Sequence, residues 1–318
     1  ARRRNKRQEP VAPPSDRATL AAEISNIRRT HELFAIGNFV VLFAPTRAIP
    51  NLIREIGRMR EVTFRAVGEG TNRATDLDEY DFYYHHLVIW DEAAGVLVGA
   101  YRVGKGREII SQYGIKGFYI NSLFRIRKSF EPVLAESLEL GRSFIVQEYQ
   151  KKAMPLFLLW KGLLTVLLQN AGYRFLIGPV SISNEFSAFS KSLIVEFVRS
   201  NYFDREMARY IRPRKKFTPQ IDRRIDSEII ISSAERDINK VEKVVSDVDK
   251  GYRIPVLLKK YLEVNARIIG FNVDPDFNNC LDGLIMLDIH NLPAGFVSSL
   301  SKDQNEAEVA RRLRRRDS

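Results

Sequence analysis

The chain has 318 residues, 45% of them hydrophobic, which is enough to bury a substantial core and excludes a peptide or a disordered tail. Fifty Lys and Arg against thirty-nine Asp and Glu give a formal charge of +11, favouring polyanionic partners such as acidic proteins, anionic lipid headgroups or nucleic acid. The single cysteine, Cys280, excludes an internal disulfide, so a reducing, cytoplasmic setting fits.

Residues 1–17 mix a basic run (Arg2, Arg3, Arg4, Lys6, Arg7) with Pro10, Pro13 and Pro14 and read as a flexible arm or linker. The chain opens on Ala1 with no signal segment, and we expect it to be part of a longer polypeptide. A folded domain is expected over 18–300. Thr19 to about Ala35 is helical in pattern, and Phe39 to Phe43 suits a strand bounded by Gly37 and Pro45. A helix begins near Pro50 and carries Leu52, Ile53, Ile56, Met59 and Phe64 on one face. Gly68 to Tyr84 is acidic and irregular, as in a functional loop. Leu87–Trp90 and Val96–Val103, joined through a charged turn, predict an antiparallel hairpin. Ser137–Val146 reads as a strand. After a basic loop at Gln147–Lys152, an apolar helix starts at Pro155; its stretch Ala153–Leu168 contains Lys161 and is shorter than the ~20 residues a bilayer requires. A buried helix is the reading, with a surface-lying membrane helix as the alternative. Phe175–Ile182 supplies a strand and Phe186–Ser200 a helix, the alternation of an α/β domain. Arg212–Arg224 is a basic connector. Val256–Leu262 reads as a helix, and Arg267–Val273 and Leu281–Ile289 as strands flanking a loop at Asp274–Asn279. Residues 301–318, closing on Arg311, Arg312, Arg314, Arg315 and Arg316, form a basic tail.

Four features place charged or aromatic groups beside elements that otherwise read as core. Arg60 and Phe64, four apart on a helix, share a face. Asp78 and Asp81 provide two carboxylates in the acidic loop, suited to a cationic amine. Arg102 lies inside a strand, where a permanent charge is seldom buried without a carboxylate. Glu139 and Arg142, three apart on a strand, are expected on opposite faces. One cysteine and four histidines show no metal-site spacing, and no metal is expected. His86-x-x-x-x-Asp91 and Glu69-Gly-Thr71 echo glycerolipid acyltransferase blocks, but the first is in reversed order and on a strand, and both are set aside as accidental.

The order Arg60-x-x-x-Phe64, Asp78-x-x-Asp81, Arg102, Glu139-x-x-Arg142 resembles the signature of acyl-homoserine-lactone synthases. The stretches Leu138-Glu-Leu-Gly-Arg-Ser-Phe144, Gly178-Pro-Val-Ser-Ile-Ser183 and Ile254-Pro-Val-Leu-Leu-Lys-Lys-Tyr261, with Asp274-Pro-Asp-Phe277, more closely resemble the ornithine-acyl-carrier-protein N-acyltransferases, the hemolysin-like enzymes of amino-acid lipids. That resemblance covers roughly residues 36 to 290 and implies an acetyltransferase-like (GNAT) α/β fold, a mixed central sheet with helices on both faces. It further implies transfer of a fatty acyl group from acyl carrier protein to an amino acid's amine, with no tightly bound cofactor. Peripheral contact with the inner membrane face and a fused or paired O-acyltransferase follow as implied partners; nucleic acid does not. In that reading Glu139 is the base, Asp78 and Asp81 bind the acceptor, and Arg102 and Arg142 orient carboxylate and loop. Arg60, Phe64, Ser143 and Phe144 serve the donor. Gln147–Ala153 lacks the glycines of a coenzyme A pyrophosphate loop, which favours a carrier protein, one phosphate of whose arm Lys151 and Lys152 would hold. Two alternatives stay open: a lactone synthase using S-adenosylmethionine, and a non-catalytic basic module on membranes or nucleic acid.

Overall fold

The structure, a computed structural model, describes residues 8–220, 227–301 and 309. Runs of alternating or wholly apolar residues form strands β1 (Glu32–Ile36), β2 (Phe39–Pro45), β3 (His85–Asp91), β4 (Val96–Lys105), β5 (Phe124–Ile126), β6 (Ser137–Ile145), β7 (Phe175–Ile182), β8 (Ile211–Pro213), β9 (Arg267–Asp274) and β10 (Cys280–Asp288). Eight of them make one sheet in the order β1-β2-β3-β4-β6-β7-β10-β9, and β5 pairs with β8. Neighbours in the large sheet are antiparallel except β6 and β7, so the sheet is mixed.

Both faces are covered. Helices α1 (Arg17–His31) and α2 (Leu52–Arg65) lie on one face over β2 to β4, and the segment from α3 (Gly106–Tyr113) to Ala135 covers the same face towards β10. On the other face lie α4 (Ala153–Gln169), α5 (Ala188–Asn201), α6 (Ile238–Val248) and α7 (Val256–Glu263). Helix α4 is apolar nearly all round and buried from Leu158 to Leu167, as a helix between sheet and outer helices must be. Among the described residues no helix is long and apolar enough to cross a membrane.

Most sequence-predicted elements stand within a residue or two, and three readings change. The first helix ends at His31, because Glu32–Ile36 turns back through Gly37 (φ 56°) to pair with β2 as an edge strand. The expected flexible arm is tied down from residue 9: Glu9 N–H bonds the Asn72 carbonyl at 3.0 Å, Ala12 N–H that of Ala74 at 2.9 Å, and Ser15 N–H reaches Glu55 Oε2 at 3.0 Å. The basic connector contributes β8 and is anchored beyond it, Lys215 N–H donating to Asn272 Oδ1 at 2.9 Å. Residues 1–7, 221–226 and, apart from Ser301 and Val309, the basic tail lie outside the described residues.

Candidate active site

The parallel pair β6–β7 is registered at only three positions, Ser137↔Phe175, Leu138↔Leu176 and Glu139↔Ile177, after which the strands part. Gly178 stands at the branch, where a Cβ would come 2.0 Å from the Leu140 carbonyl oxygen, so any larger residue would force the strands apart earlier. On the other edge of β6, Arg142 and Ser143 together face Tyr101 of β4, a bulge in which Arg142 adopts φ 52°. A cavity of about 800 Å³ fills the gap between the strands and draws its walls from the cores on both faces, Phe64, Phe144 and Phe277 on one and Tyr101, Val180 and Phe186 on the other. The β6 edge it exposes has no strand partner there, leaving backbone N–H groups available to a ligand.

On the α2 face a ladder of alternating charges leads to this cavity. Arg60 Nη1 donates to Asp81 Oδ1 at 2.8 Å, and Arg102 Nη1 reaches Asp81 Oδ2 at 3.2 Å and Asp78 Oδ1 at 2.5 Å. Arg142 Nη2 lies 3.7 Å from Asp78 and its Nε 3.0 Å from Asp76. Burial opposes the charge on Asp81, but Arg60 and Arg102 outweigh it and hold the carboxyl far below the usual range. Aromatic rings insulate the ladder: Arg102 sits over Tyr80, Tyr84 and Tyr119, and Arg142 is sandwiched between Tyr119 (4.9 Å) and Phe277 (4.8 Å).

Two acids face the cavity with the opposite tendency. Asp282, buried on β10, accepts from the Ser181 hydroxyl at 2.7 Å; burial pushes its pKa up to about 8, with the Asp274 and Glu69 carboxylates adding to the rise. Burial also lifts Glu69 to about 7, where Arg142 opposes and Glu185 reinforces the shift. A second cavity of about 490 Å³, lined by Asp76, Asp78, Glu79, Arg73, Arg214 and Lys215, shares Tyr119, Arg142, Asp274 and Phe277 with the first. These four residues therefore form a wall between an acidic chamber and the through-sheet cavity.

The sequence-derived site divides accordingly. Phe64, Arg142, Ser143 and Phe144 line the main cavity, and Asp78 lines the second. Arg60, Arg102 and Asp81 are buried in the ladder, with Asp81 enclosed by two arginines, and none of the three is among the residues lining either cavity. Glu139 does not line either cavity. Its carboxylate accepts from the Tyr84 hydroxyl and from the backbone N–H groups of Tyr119 (3.1 Å) and Ile120 (2.7 Å), which makes it the pin that holds the 117–120 turn. Burial raises its pKa to about 7, and the carboxylate, expected to be the base, is covered and stands outside the lining of both cavities. Glu139 and Arg142 do not diverge as strand alternation implies, because the bulge brings both to Tyr119. Lys151 and Lys152 are exposed and outside the cavity lining, although Gln150 reaches it. Asp282, Tyr119 and Tyr101 were missed, while Asp274 and Phe277 entered only within a resembling stretch and Glu69 only within a motif set aside. For Asp282 the signal was present: a carboxylate inside an apolar strand, as informative as Arg102.

A mixed sheet whose central parallel strands splay around a through-going cavity is an acetyltransferase-like (GNAT) fold, and the acetyltransferase (GNAT) domain family matches residues 59–160. The chain is 29% identical over 301 residues to a glycine N(alpha)-acyltransferase of Bacteroides thetaiotaomicron, covering 89% of this chain and 87% of that protein. It is 28% identical over 302 residues to a glycine N(alpha)-acyltransferase of Phocaeicola vulgatus, covering 89% and 90%. No solved structure matches the chain. The protein is an acyltransferase enzyme. More particularly, it is an N-acyltransferase, the acyl group passing to nitrogen.

Proposed function

We propose that this enzyme transfers a fatty acyl group from the phosphopantetheine thioester of an acyl carrier protein to the α-amine of glycine. The observation that carries the reading is one cavity, running between β6 and β7, in which a carboxylate of raised pKa (Asp282) and a guanidinium (Arg142) stand beside an unpaired strand edge. The names of the two relatives supply glycine, one of the acceptors that the resemblance left open beside ornithine and serine; ornithine would bring a second ammonium, for which the second cavity has room.

The acceptor enters from the acidic chamber, its carboxylate towards Arg142 and its ammonium towards Asp282 and Glu69. Asp282 takes a proton from nitrogen, the amine attacks the thioester carbon, and N–H groups of the β6 edge receive the developing oxyanion. The N–C bond forms, the C–S bond breaks, the second nitrogen proton passes to the departing thiolate sulfur, and the proton held by Asp282 leaves to solvent. A base near pH 8 is well matched to an α-ammonium. The product is an N-acyl amino acid, an amphiphile that a fused or paired O-acyltransferase would extend at the cytoplasmic membrane face.

The test supplies a hexadecanoyl carrier-protein thioester with glycine, serine or ornithine and follows free thiol and N-acyl product by mass spectrometry. N-acyl glycine in step with thiol release supports the reading; thiol without any N-acyl product, or no thiol at all, overturns it. Asp282→Asn should lower kcat by about 10²–10⁴-fold and abolish the rise in rate near pH 8. Glu139→Gln should keep that rise, since its carboxylate acts on the turn.

A further inference from the structure

The two arms of the main cavity differ in chemistry. On the α2 face its walls carry Glu69, Arg142, Asp274 and Asp282. On the opposite face the walls are Tyr101, Ile145, Val180, Phe186, Tyr252 and Leu257, members of or packed against the large apolar core, while the exposed Glu185, Lys250 and Arg253 also border the cavity beside Phe186 and Tyr252. Tyr101 is 3% exposed, and its hydroxyl is bonded to that of Tyr261 at 2.7 Å; Tyr261 in turn packs edge-on against Trp160, ring centroids 5.0 Å apart. Neither Tyr261 nor Trp160 lines the cavity, so Tyr101 closes it off from the core behind. The two buried hydroxyls bond one another, Tyr101 with a further side-chain bond to Ser143, and moving the Tyr101 ring would break both. The closure is rigid.

From these observations, and resting on the acyl-transfer reading above, we infer that the apolar arm holds the fatty acyl chain and that Tyr101 is the stop that sets its maximum length. A chain in this arm gains about fourfold in binding for each methylene it buries, until it meets the tyrosine ring and gains nothing further. Selection is then a step and not a slope. Leu257, half-buried on α7 one turn before Tyr261, lines the same arm and contributes nothing to the Tyr101–Tyr261 hydroxyl pair itself.

The experiment offers the full chain an equimolar mixture of carrier-protein thioesters from twelve to eighteen carbons with saturating glycine, and reads the ratio of N-acyl products by mass spectrometry. A ratio cancels any general loss of rate. Tyr101→Leu should raise the proportion of products longer than the wild-type optimum by about tenfold. Leu257→Trp, which leaves the buried hydroxyl pair intact and so guards against a misfolded first variant, should lower that proportion by a similar factor. An unchanged product ratio in folded Leu257→Trp, or in folded Tyr101→Leu, overturns the inference while the N-acyl products still uphold the reaction. Absence of N-acyl product from the wild type instead removes the reaction, and the inference with it.

Discussion

The two faces of the sheet are held together by opposite means. On the α4 face the buried surface is mostly aliphatic and aromatic, from Leu158 through Leu167 to Ile194, Val195 and Phe197, with Lys161 as a buried charge lying over the Phe34 ring. On the α2 face a comparable depth contains Arg60, Glu61, Asp81, His86, Arg102 and Glu139, each 1–3% exposed or less. Apolar burial tolerates some repacking, whereas a buried charge is stable only while each partner is present. One face thus resembles an ordinary core and the other an assembled circuit, and the cavity opens where the two meet.

The largest effect should come from breaking the circuit. Arg102→Met leaves Asp78 with only its 3.7 Å contact to Arg142 and Asp81 with only Arg60 in a low-dielectric setting, and should cost about 3–5 kcal/mol, read as a lower urea midpoint. On the apolar face Leu163→Ala should cost about 2–4 kcal/mol by the same measurement, and its cost should not vary with salt or pH. Gly178→Ala, which presses a methyl onto the Leu140 carbonyl, should cost about 1–3 kcal/mol in unfolding experiments and depress transfer more than stability.

A smaller effect of opposite sign should come from Asp282→Asn. The folded-state pKa of Asp282 is raised from 3.8 to about 8, so between those values the folded protein holds a proton that the unfolded chain releases. Wild-type stability from this group is therefore present at low pH and lost as pH climbs through that window. The variant's melting temperature should exceed the wild type's, by a margin that widens from pH 5 to pH 8. The smallest effect belongs to the surface: Glu206→Ala breaks an exposed pair with Arg209 and should shift stability by no more than about 0.5 kcal/mol in the same thermal melts.

The apolar face was largely legible in the sequence because its signals are local. The run Ala153–Leu168, the β3–β4 hairpin and the strands Phe175–Ile182 and Arg267–Val273 are spelled by hydrophobic period and turn residues alone. The charged face was legible only as a set of suspects. Arg60, Asp78, Asp81, Arg102, Glu139 and Arg142 do converge, but their order along the ladder depends on pairings between residues up to 66 positions apart in sequence, which no period records. The bulge at Arg142 was invisible because positive φ at an arginine has no compositional sign. It reversed the expected facing of Glu139 and Arg142, and it is Asp282, not Glu139, that lines the main cavity. Glu69, set aside with a chance motif, owes its cavity position to a loop whose path is fixed by Glu61, which accepts from Thr71 and Asn72 N–H. The helices at 227–233 and 238–248 were not read at all, being short and flanked by polar connectors.

The ladder also has an arithmetic of its own. Arg60, Arg102 and Arg142 alternate with Asp81, Asp78 and Asp76, three cations with three anions, so the array is electroneutral and every member already has a counterion. A simple anion docking on Arg142 would tip that sum negative, and a simple cation docking on Asp78 would tip it positive, each in surroundings that screen little. A zwitterion carries both signs and leaves the sum at zero. Under the reaction proposed above, the array would therefore favour an acceptor whose own charges cancel.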